Sequence, residues 1–351
     1  MKQNKPGYIL ILTLMAIALI TTIITKMYYQ SSAYLPLADL VVKRQKAANL
    51  ALGGLQMALS KLNGPQNQEE SDSKNKKNKS KEALLLERIL PSLNRWQAFN
   101  LKEDVDGVNG QIKICVSCEN GKVNLNQLYD FAKHELKDAK IKQLMQEIFA
   151  ALGKLTKNQI DSKLANEALM KFLSERKYQL LDATELLQIP EFSYFKQHVF
   201  YHPPQDAEQT SENLPRPVYL TDIFTTWTSS PQVEPWLFSD SVLALLSFPR
   251  AQANDIMKRD GKVKEWTKNL KESSNWQTDW DKSLGLVYGN ELANLPKSVV
   301  SLFETKFNPQ VFSAISCGTI EGITQTVYAI IKLQSENTGS SFFVIEKLYW
   351  I

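Results

Sequence analysis

The stretch "KQNKPGYILILTLMAIALITTIITKMYY", Lys2–Tyr29, decides the fold of this chain. Eighteen uncharged, mostly apolar residues follow one another in Tyr8–Thr25. As a helix they rise about 1.5 Å per residue and reach about 27 Å, close to the ~30 Å hydrocarbon core of a bilayer. Lys2 and Lys5 precede the run, and this charge bias places the N-terminus in the cytoplasm. The sequence therefore predicts one membrane span, with the bulk of the chain outside the cytoplasm.

Gly7 separates the basic leader from the apolar run. A secretory signal would have an A-x-A-like cleavage site behind the run, but Thr25–Tyr29 reads TKMYY. A peptidase at the cytoplasmic face would instead cut between Gly7 and Tyr8 and leave the helix intact. A plain, uncleaved anchor explains the same residues equally well and stays open as an alternative.

Lys5, Gly7, Tyr8 and the apolar stretch that follows resemble the class III signal of type IV pilins and type II secretion pseudopilins. That resemblance implies cleavage by a prepilin peptidase between Gly7 and Tyr8, and methylation. The fifth mature residue in most of that family is a glutamate, whose carboxylate needs a partner inside the bilayer. Counted from Tyr8, the fifth residue here is Leu12. Within the family, the missing glutamate is typical of the minor pseudopilin K, the subunit at the tip of the pseudopilus.

Composition favours folded units and argues against a nucleic-acid partner. The 351 residues are 43% hydrophobic, enough for two compact units behind the anchor. The net charge of +4 is small and is not gathered on one predicted helix. No basic stripe with interleaved aromatic residues is present, so we expect no nucleic-acid binding.

The helical pattern continues to Leu62, and its spacing predicts a small-residue apolar face that includes Ala47, Ala48, Ala51, Leu52, Leu55 and Met57, while Gly53-Gly54 lower the helix propensity. Small residues let another surface pack closely, and in a pilin that surface is the protein's own sheet. The next residues, "NGPQNQEESDSKNKKNKSKE", are polar and charged, and we expect a mobile linker there.

"GQIKICVSCENGKVNLNQLYDF", Gly110–Phe131, has the alternation of a strand at Ile112, Ile114 and Val116. The ENG run predicts a turn, and the alternation that resumes at Val123 predicts a β-hairpin. "NGKVNLNQL" also resembles the element of pseudopilin K that closes the first half of the pilin sheet and leads into an inserted helical domain.

Helical periodicity then dominates, with predicted helices around Ile141–Leu152 and Ile160–Leu173. Asp182 or Thr184 is the predicted N-cap of a further short helix, and the Ser239-Asp240-Ser241 run is predicted to cap another. "GTIEGITQTVYAIIKLQ" and "SFFVIEKLYWI" each predict one strand at the C-terminal end.

The predicted fold class is α+β: a long N-terminal transmembrane helix packed on an antiparallel pilin-like sheet, with a large inserted helical domain. The predicted units are a leader (1–7), the N-terminal helix (8–62, transmembrane over 8–25), a mobile linker (63–83), the first part of the pilin-like domain (84–131), the insertion (132–308) and the C-terminal strands (309–351).

The sequence contains one C-x-x-C motif, formed by Cys115 and Cys118. It has no second cysteine pair for zinc and no predicted helix N-terminus that would lower a thiol pKa. Residues three apart on a strand face opposite sides, so a disulfide between them requires the turn to begin at Ser117. A local disulfide and free thiols both stay open.

Two patterns bear on metal binding. His198 and His202 have helical i, i+4 spacing, but Pro203-Pro204 would end that helix and no third ligand is evident. Glu103–Gly110 has the spaced oxygens of a calcium loop without the order of an EF-hand. We therefore expect no cofactor and no metal, with calcium kept as the alternative. No nucleophile, base and orienting group come together in a known motif, so no catalytic residue and no enzyme are predicted.

The resemblance implies a minor pseudopilin that caps the pseudopilus tip and initiates its assembly for protein secretion across the outer membrane. Its implied partners are other minor pseudopilins, the prepilin peptidase, the inner membrane and secreted proteins. It would be a single-pass inner-membrane protein with its bulk in the periplasm. The alternatives are a type IV pilus minor pilin and a signal-anchored envelope binding module or enzyme.

Overall fold

The fold is α+β in a computed structural model that describes residues 6–64, 85, 88–89, 92–202, 217–246, 295–304, 308–335 and 341–351. An antiparallel sheet carries one very long N-terminal helix, and further helices are inserted between two of its strands. The fold class predicted from the sequence is confirmed. Most of the predicted linker, 63–83, lies outside the described residues.

Helix α1, Pro6–Asn63, has 58 residues and is therefore about 87 Å long. It continues through Pro36 and agrees closely with the predicted helix over 8–62. Within the described residues, α1 is the helix that is long and apolar enough to cross a membrane, and the qualifying window near its start has a mean hydropathy of 2.1.

The strands in chain order are β1 (Trp96–Leu101), β2 (Gly110–Cys118), β3 (Val123–Asn124), β4 (Tyr129–Asp130), β5 (Glu135–Leu136), β6 (Phe224–Thr225), β7 (Val311–Ile320), β8 (Ile323–Ser335) and β9 (Ser341–Trp350). The main sheet is antiparallel, in the order β1-β2-β7-β8-β9. Two further pairs, β3 with β6 and β4 with β5, lie outside it.

The remaining helices are α2 (Glu103–Asp106), α3 (Leu125–Leu128), α4 (Ala139–Leu155), α5 (Ser162–Ser174), α6 (Leu220–Ile223), α7 (Asp240–Leu245) and α8 (Lys297–Val300). Short 3₁₀ helices span Glu119–Gly121, Ala183–Gln188, Pro190–Lys196 and Pro235–Leu237. Helices α4 and α5 confirm the two amphipathic helices read from the sequence.

Strands β2 and β7 are direct neighbours in the sheet although residues 119–310 lie between them in the chain. Their register pairs Cys118 with Phe312 and Gln111 with Thr319. The sheet is thus begun before the helical insertion and completed after it, as the order of the sequence patterns predicted.

The predicted hairpin between Ile112 and Leu125 is wrong. The turn at Glu119–Gly121 exists, but β3 leaves the sheet and pairs in parallel with β6. The side chain of Asn124 accepts hydrogen bonds from the backbone N–H groups of Asn126 and Gln127. This N-cap starts α3 at Leu125, where the alternation had predicted a strand.

The single strand predicted over residues 318–334 is also wrong. Glu321 and Gly322 have positive φ values of 47° and 82°, and they form the two-residue turn between β7 and β8. Positive φ at both turn residues matches the right-handed twist of the flanking strands. The sheet therefore has one more C-terminal strand, β7, than the sequence predicted.

Side-chain caps begin the helices of the insertion. Asp138 caps α4 and Asp161 caps α5. Asp182 forms a capping box with Glu185 on the 3₁₀ helix Ala183–Gln188, and Ser239 caps α7. Of the two alternatives Asp182 and Thr184, Asp182 is the cap, and within the predicted run Ser239-Asp240-Ser241 the cap is Ser239, because an oxygen placed before the first turn accepts an otherwise unpaired backbone N–H.

Candidate assembly surface

The N-terminal half of α1 presents large apolar side chains that pack against nothing within the described chain. Leu12 is 55% exposed and Met15 is 72% exposed. The same exposure continues beyond the predicted span, at Tyr28, Tyr29, Tyr34, Leu35, Leu37, Val41 and Val42. Gly7 and Tyr8 lie in the first turn of the helix. So much exposed apolar surface indicates a membrane or a partner chain around this half.

The C-terminal half of α1 has the opposite character. Ala47 and Ala51 are fully buried, and Leu55, Ala58 and Leu62 are at most 2% exposed. These residues pack on β2, β7, β8 and β9. Ala47, Ala51 and Leu55 of the face predicted from the sequence thus meet the protein's own sheet, whereas Leu52 and Met57, predicted on the same face, are 37% and 39% exposed.

Two glycines set how closely α1 approaches the sheet. A Cβ added at Gly318 of β7 would lie 2.2 Å from the carbonyl oxygen of Ala47 and 2.6 Å from the backbone nitrogen of Ala51. A Cβ added at Gly54 of α1 would lie 2.1 Å from Oγ of Ser316. Helix and strand are in backbone contact here, so neither position has room for a side chain.

Lys43 joins α1 to the turn between β7 and β8. Its Nζ lies 2.6 Å from Oδ2 of Asp39 and 2.7 Å from Oε2 of Glu321. Hydrogen bonds to these two carboxylates raise the pKa of Lys43. The pairs lie near the surface, where ion pairs contribute little to stability and are screened by salt.

Glu119 and Lys122 form a buried ion pair where the chain leaves the sheet for the insertion. Both side chains are 2% exposed. The hydroxyl of Thr225 in β6 donates to Oε2 of Glu119 at 2.5 Å, and Nζ of Lys122 lies 3.3 Å from Oγ of Ser313 in β7. One ion pair thus connects the end of β2, the insertion and the next sheet strand.

Asn120 connects the exit from the sheet to the return into it. Its Oδ1 accepts hydrogen bonds from the backbone N–H groups of Gln310 and Val311, both at 3.0 Å. Its carbonyl oxygen accepts the N–H of Glu234 at 2.7 Å. Asn120, which lies just after β2, therefore holds the backbone at Val311, the first residue of β7.

Two more asparagines of the NGKVNLN run bond to distant backbone groups. Nδ2 of Asn124 donates to the carbonyl oxygen of Thr228 at 2.6 Å. Asn126 both donates to the carbonyl oxygen of Leu180 and accepts its N–H, at 2.8 and 2.9 Å. The resemblance noted in the sequence falls on residues that hold the insertion to the sheet, which we call the junction: Glu119, Asn120, Lys122, Asn124 and Asn126.

Two buried carboxyl groups near the junction were missed by sequence reasoning. Oδ2 of Asp222 accepts the N–H of Ser241, and Oε1 of Glu234 accepts the N–H of Asn308, both at 2.8 Å. Burial raises the pKa of Asp222 to about 6 and that of Glu234 to about 8. Nothing in their sequence neighbourhoods signals burial, because an acidic residue is ordinarily exposed.

The insertion also covers part of the sheet face that points away from α1. The rings of Phe200 and Tyr328 lie 5.1 Å apart, and Nζ of Lys347 lies 5.3 Å from the Trp227 ring. The hydroxyl of Tyr349 donates to Oδ2 of Asp182 at 3.0 Å. The sheet is therefore covered by α1 on one face and by insertion loops on the other.

Cys115 and Cys118 are free thiols on one continuous strand. The turn begins at Glu119, not at Ser117, so the condition for the possible disulfide is not met. The thiol of Cys118 donates to the carbonyl oxygen of Val311 at 3.5 Å. Burial raises the pKa of both thiols, which favours the unreactive protonated form.

The two histidines considered as metal ligands have different aromatic neighbours. His198 stacks on Tyr194 with ring centroids 4.4 Å apart, and His202 meets the edge of Trp96 at 5.3 Å. In the loop considered for calcium, Oδ2 of Asp106 accepts the N–H of Lys102. Across the described ranges, no group of three or more His, Cys, Asp or Glu side chains is arranged to hold a metal ion.

No protein-family model and no curated protein matches this sequence. Among solved structures, the chain is similar to a chain of "The Crystal Structure of the GspK-GspI-GspJ complex from enterotoxigenic Escherichia coli Type 2 Secretion System". The match covers 93% of this chain and 98% of that chain, with 14% identity and a TM-score of 0.41. At these values the similarity assigns neither a family nor a function.

Proposed function

We propose that the chain is a minor pseudopilin that caps the tip of a type II secretion pseudopilus. In this role it is cleaved between Gly7 and Tyr8, anchored in the inner membrane by residues 8–25, and assembled with other minor pseudopilins. The observation that supports this best is the difference between the two halves of α1: the first exposes apolar side chains from Leu10 to Val42, and the second buries Ala47, Ala51, Leu55, Ala58 and Leu62. A helix of this kind joins a folded head to a membrane and to neighbouring helices.

Leu12 supports the position at the tip. A carboxylate inside a bilayer is costly, about 2.5–3.5 kcal/mol for an aspartate at the centre of a membrane helix on insertion scales, and it needs a partner. A leucine needs no subunit ahead of it. The insertion adds bulk to the head between β2 and β7, and we propose that this bulk stops further stacking.

The proposal is tested by the mass and N-terminal sequence of the full-length chain purified from cells with and without prepilin peptidase. The expected result is an N-terminus at Tyr8 only when the peptidase is present. Gly7→Leu should block this processing. Pro6→Ala, at the neighbouring position, is the matched control and should leave the processing intact. Retention of Met1 in both strains, or a cut beyond Thr25, overturns the proposal in favour of a plain anchor or a conventional signal.

A further inference from the structure

An apolar groove runs beside α1 over the edge of the sheet. Helix α1 packs on β2, β7, β8 and β9, and a space of about 580 Å³ lies between the helix and β1. Met57 of α1 forms one wall, and Phe99, Ile114 and Val116 form the floor. Met57 is 39% exposed, whereas Leu55 and Leu62, which face the sheet from the same half of the helix, are at most 2% exposed.

The rim of this groove is polar and carries a positive charge. It consists of Gln56, Ser60, Lys61 and Gln97. The ammonium group of Lys61 donates to Oε1 of Gln97, and within the described residues no carboxylate pairs with it. Partial burial lowers the pKa of Lys61, so a carboxylate here would offset a real desolvation cost.

The composition of the chain's own following segment does not suit this groove. Residues 65–84 contain only Pro65, Ala83 and Leu84 as apolar residues, and no aromatic or β-branched residue. The segment carries five lysines against four acidic residues, Glu69, Glu70, Asp72 and Glu82, so the scarcity of apolar side chains, rather than charge, makes it a poor occupant. An apolar floor with a cationic rim calls for an apolar side chain beside a carboxylate.

We propose that the groove seats a helix of another pilin-like subunit, with one large apolar side chain on Phe99 and Met57 and a carboxylate at Lys61. The α1 residues on the groove, 56–61, span about one and a half turns, or roughly 8 Å. One apolar side chain and a carboxylate three or four positions away on a facing helix match that length. The inference rests on the proposed function, because assembly supplies the second anchored helix.

The test places the photo-reactive residue p-benzoylphenylalanine at Met57 of the full-length chain in the inner membrane of its host. The control position is Leu164 in α5, which is 54% exposed and lies far along the chain in the insertion. The cross-linked peptide is then sequenced. The expected adduct at position 57 is an apolar helix of a second subunit with Asp or Glu within one turn of the cross-linked residue.

Charge variants decide whether Lys61 takes part. Lys61→Glu should lower the yield of this adduct at least fivefold, and Lys61→Arg should preserve it. Lys171→Glu reverses an exposed charge on α5 and should leave the yield unchanged. Unaltered circular dichroism of each variant would show that the head still folds.

Three outcomes overturn the docking inference: no adduct at position 57, an adduct to the chain's own residues 65–84, or a partner segment without a carboxylate. An adduct that is insensitive to Lys61→Glu overturns it as well. The processing test is independent of these results. If the chain starts at Tyr8 but gives no adduct, the proposed function stands and this docking inference fails. If the chain keeps Met1 but gives the adduct, the proposed function fails and the docking of a helix in the groove stands.

Discussion

Where α1 lies closest to the sheet, small residues make apolar contacts, whereas at the junction, where the chain leaves the sheet for the insertion, the contacts are polar and buried. Ala47, Ala51 and Gly54 allow the helix backbone to lie on β7. At the junction, Glu119 and Lys122 pair with both side chains 2% exposed. The same sheet is thus held by close packing on one side and by a charge-paired network at the end where the chain leaves it.

The two kinds of contact have different roles: apolar packing stabilises the association of α1 with the sheet, and the polar network makes the position of the insertion specific. Apolar packing is non-directional and hardly depends on pH. A buried polar network contributes little net free energy, yet it is costly to leave half satisfied, so it fixes one arrangement of the parts it connects. We infer that α1 adds non-directional apolar burial to the head, while the junction determines where the insertion sits.

The largest expected effect comes from breaking the junction. Lys122→Met leaves the buried carboxylate of Glu119 without its cation, and loss of one partner of a buried pair costs about 3–5 kcal/mol. The measurement is the free energy of unfolding of the full-length chain in detergent. Adding Glu119→Gln should recover at least half of the loss. A single variant as stable as the parent would show that the pair does not hold the junction.

The helix side should respond to added volume. Gly318→Ala places a methyl group 2.2 Å from the Ala47 carbonyl oxygen, and overpacking of this kind costs about 1–3 kcal/mol. Gly53→Ala is the matched control, because nothing lies within 4 Å of its Cβ. That control should stabilise by about 1 kcal/mol through helix propensity. If both variants changed the free energy of unfolding in the same direction, the close approach of α1 to β7 would be contradicted.

The junction side should also depend on pH through Glu234. Its pKa in the folded protein is about 8 against a reference of 4.5, so its contribution to stability is present below about pH 4.5 and is lost as pH rises through about 8. Glu234→Gln should remove this decline, about 1 kcal/mol between pH 6 and 7. Thermal midpoints from pH 5 to 9 test it, with Glu167→Gln, at an exposed position of α5, as control. Parallel curves for parent and variant would refute the assignment.

The smallest effect belongs to the ion pairs of Lys43. Lys43→Ala removes the contacts to Asp39 and Glu321, which lie near the surface and are screened by water. The thermal midpoint at low salt should fall by only about 1 °C, and the difference should vanish at 1 M salt. A larger shift that persists at high salt would mean that this contact, and not the small-residue packing, holds α1 to the turn.

Local patterns predicted the elements whose causes are local. The amphipathic helices α4 and α5 follow from apolar residues at helical spacing, and the caps at Asp182 and Ser239 follow from one oxygen before the first turn. The prediction of a hairpin after β2 was wrong because Asn124 fits both a strand position and the N-cap of a helix, and the alternation alone does not distinguish them. The split between β7 and β8 was missed because Glu321-Gly322 is a weak turn signal between two apolar runs.

By itself, the sequence determined the long N-terminal helix, its apolar first half, its small-residue second half and the α+β order with helices between strands. These depend on periodicity and composition, which the chain carries locally. Tertiary structure alone decided which strands pair, that Glu119 and Lys122 are buried together, that Asp222 and Glu234 lose water, and that a groove opens beside Met57. Burial of a charge and the pairing of distant strands depend on residues far apart in the chain, and no local pattern encodes them.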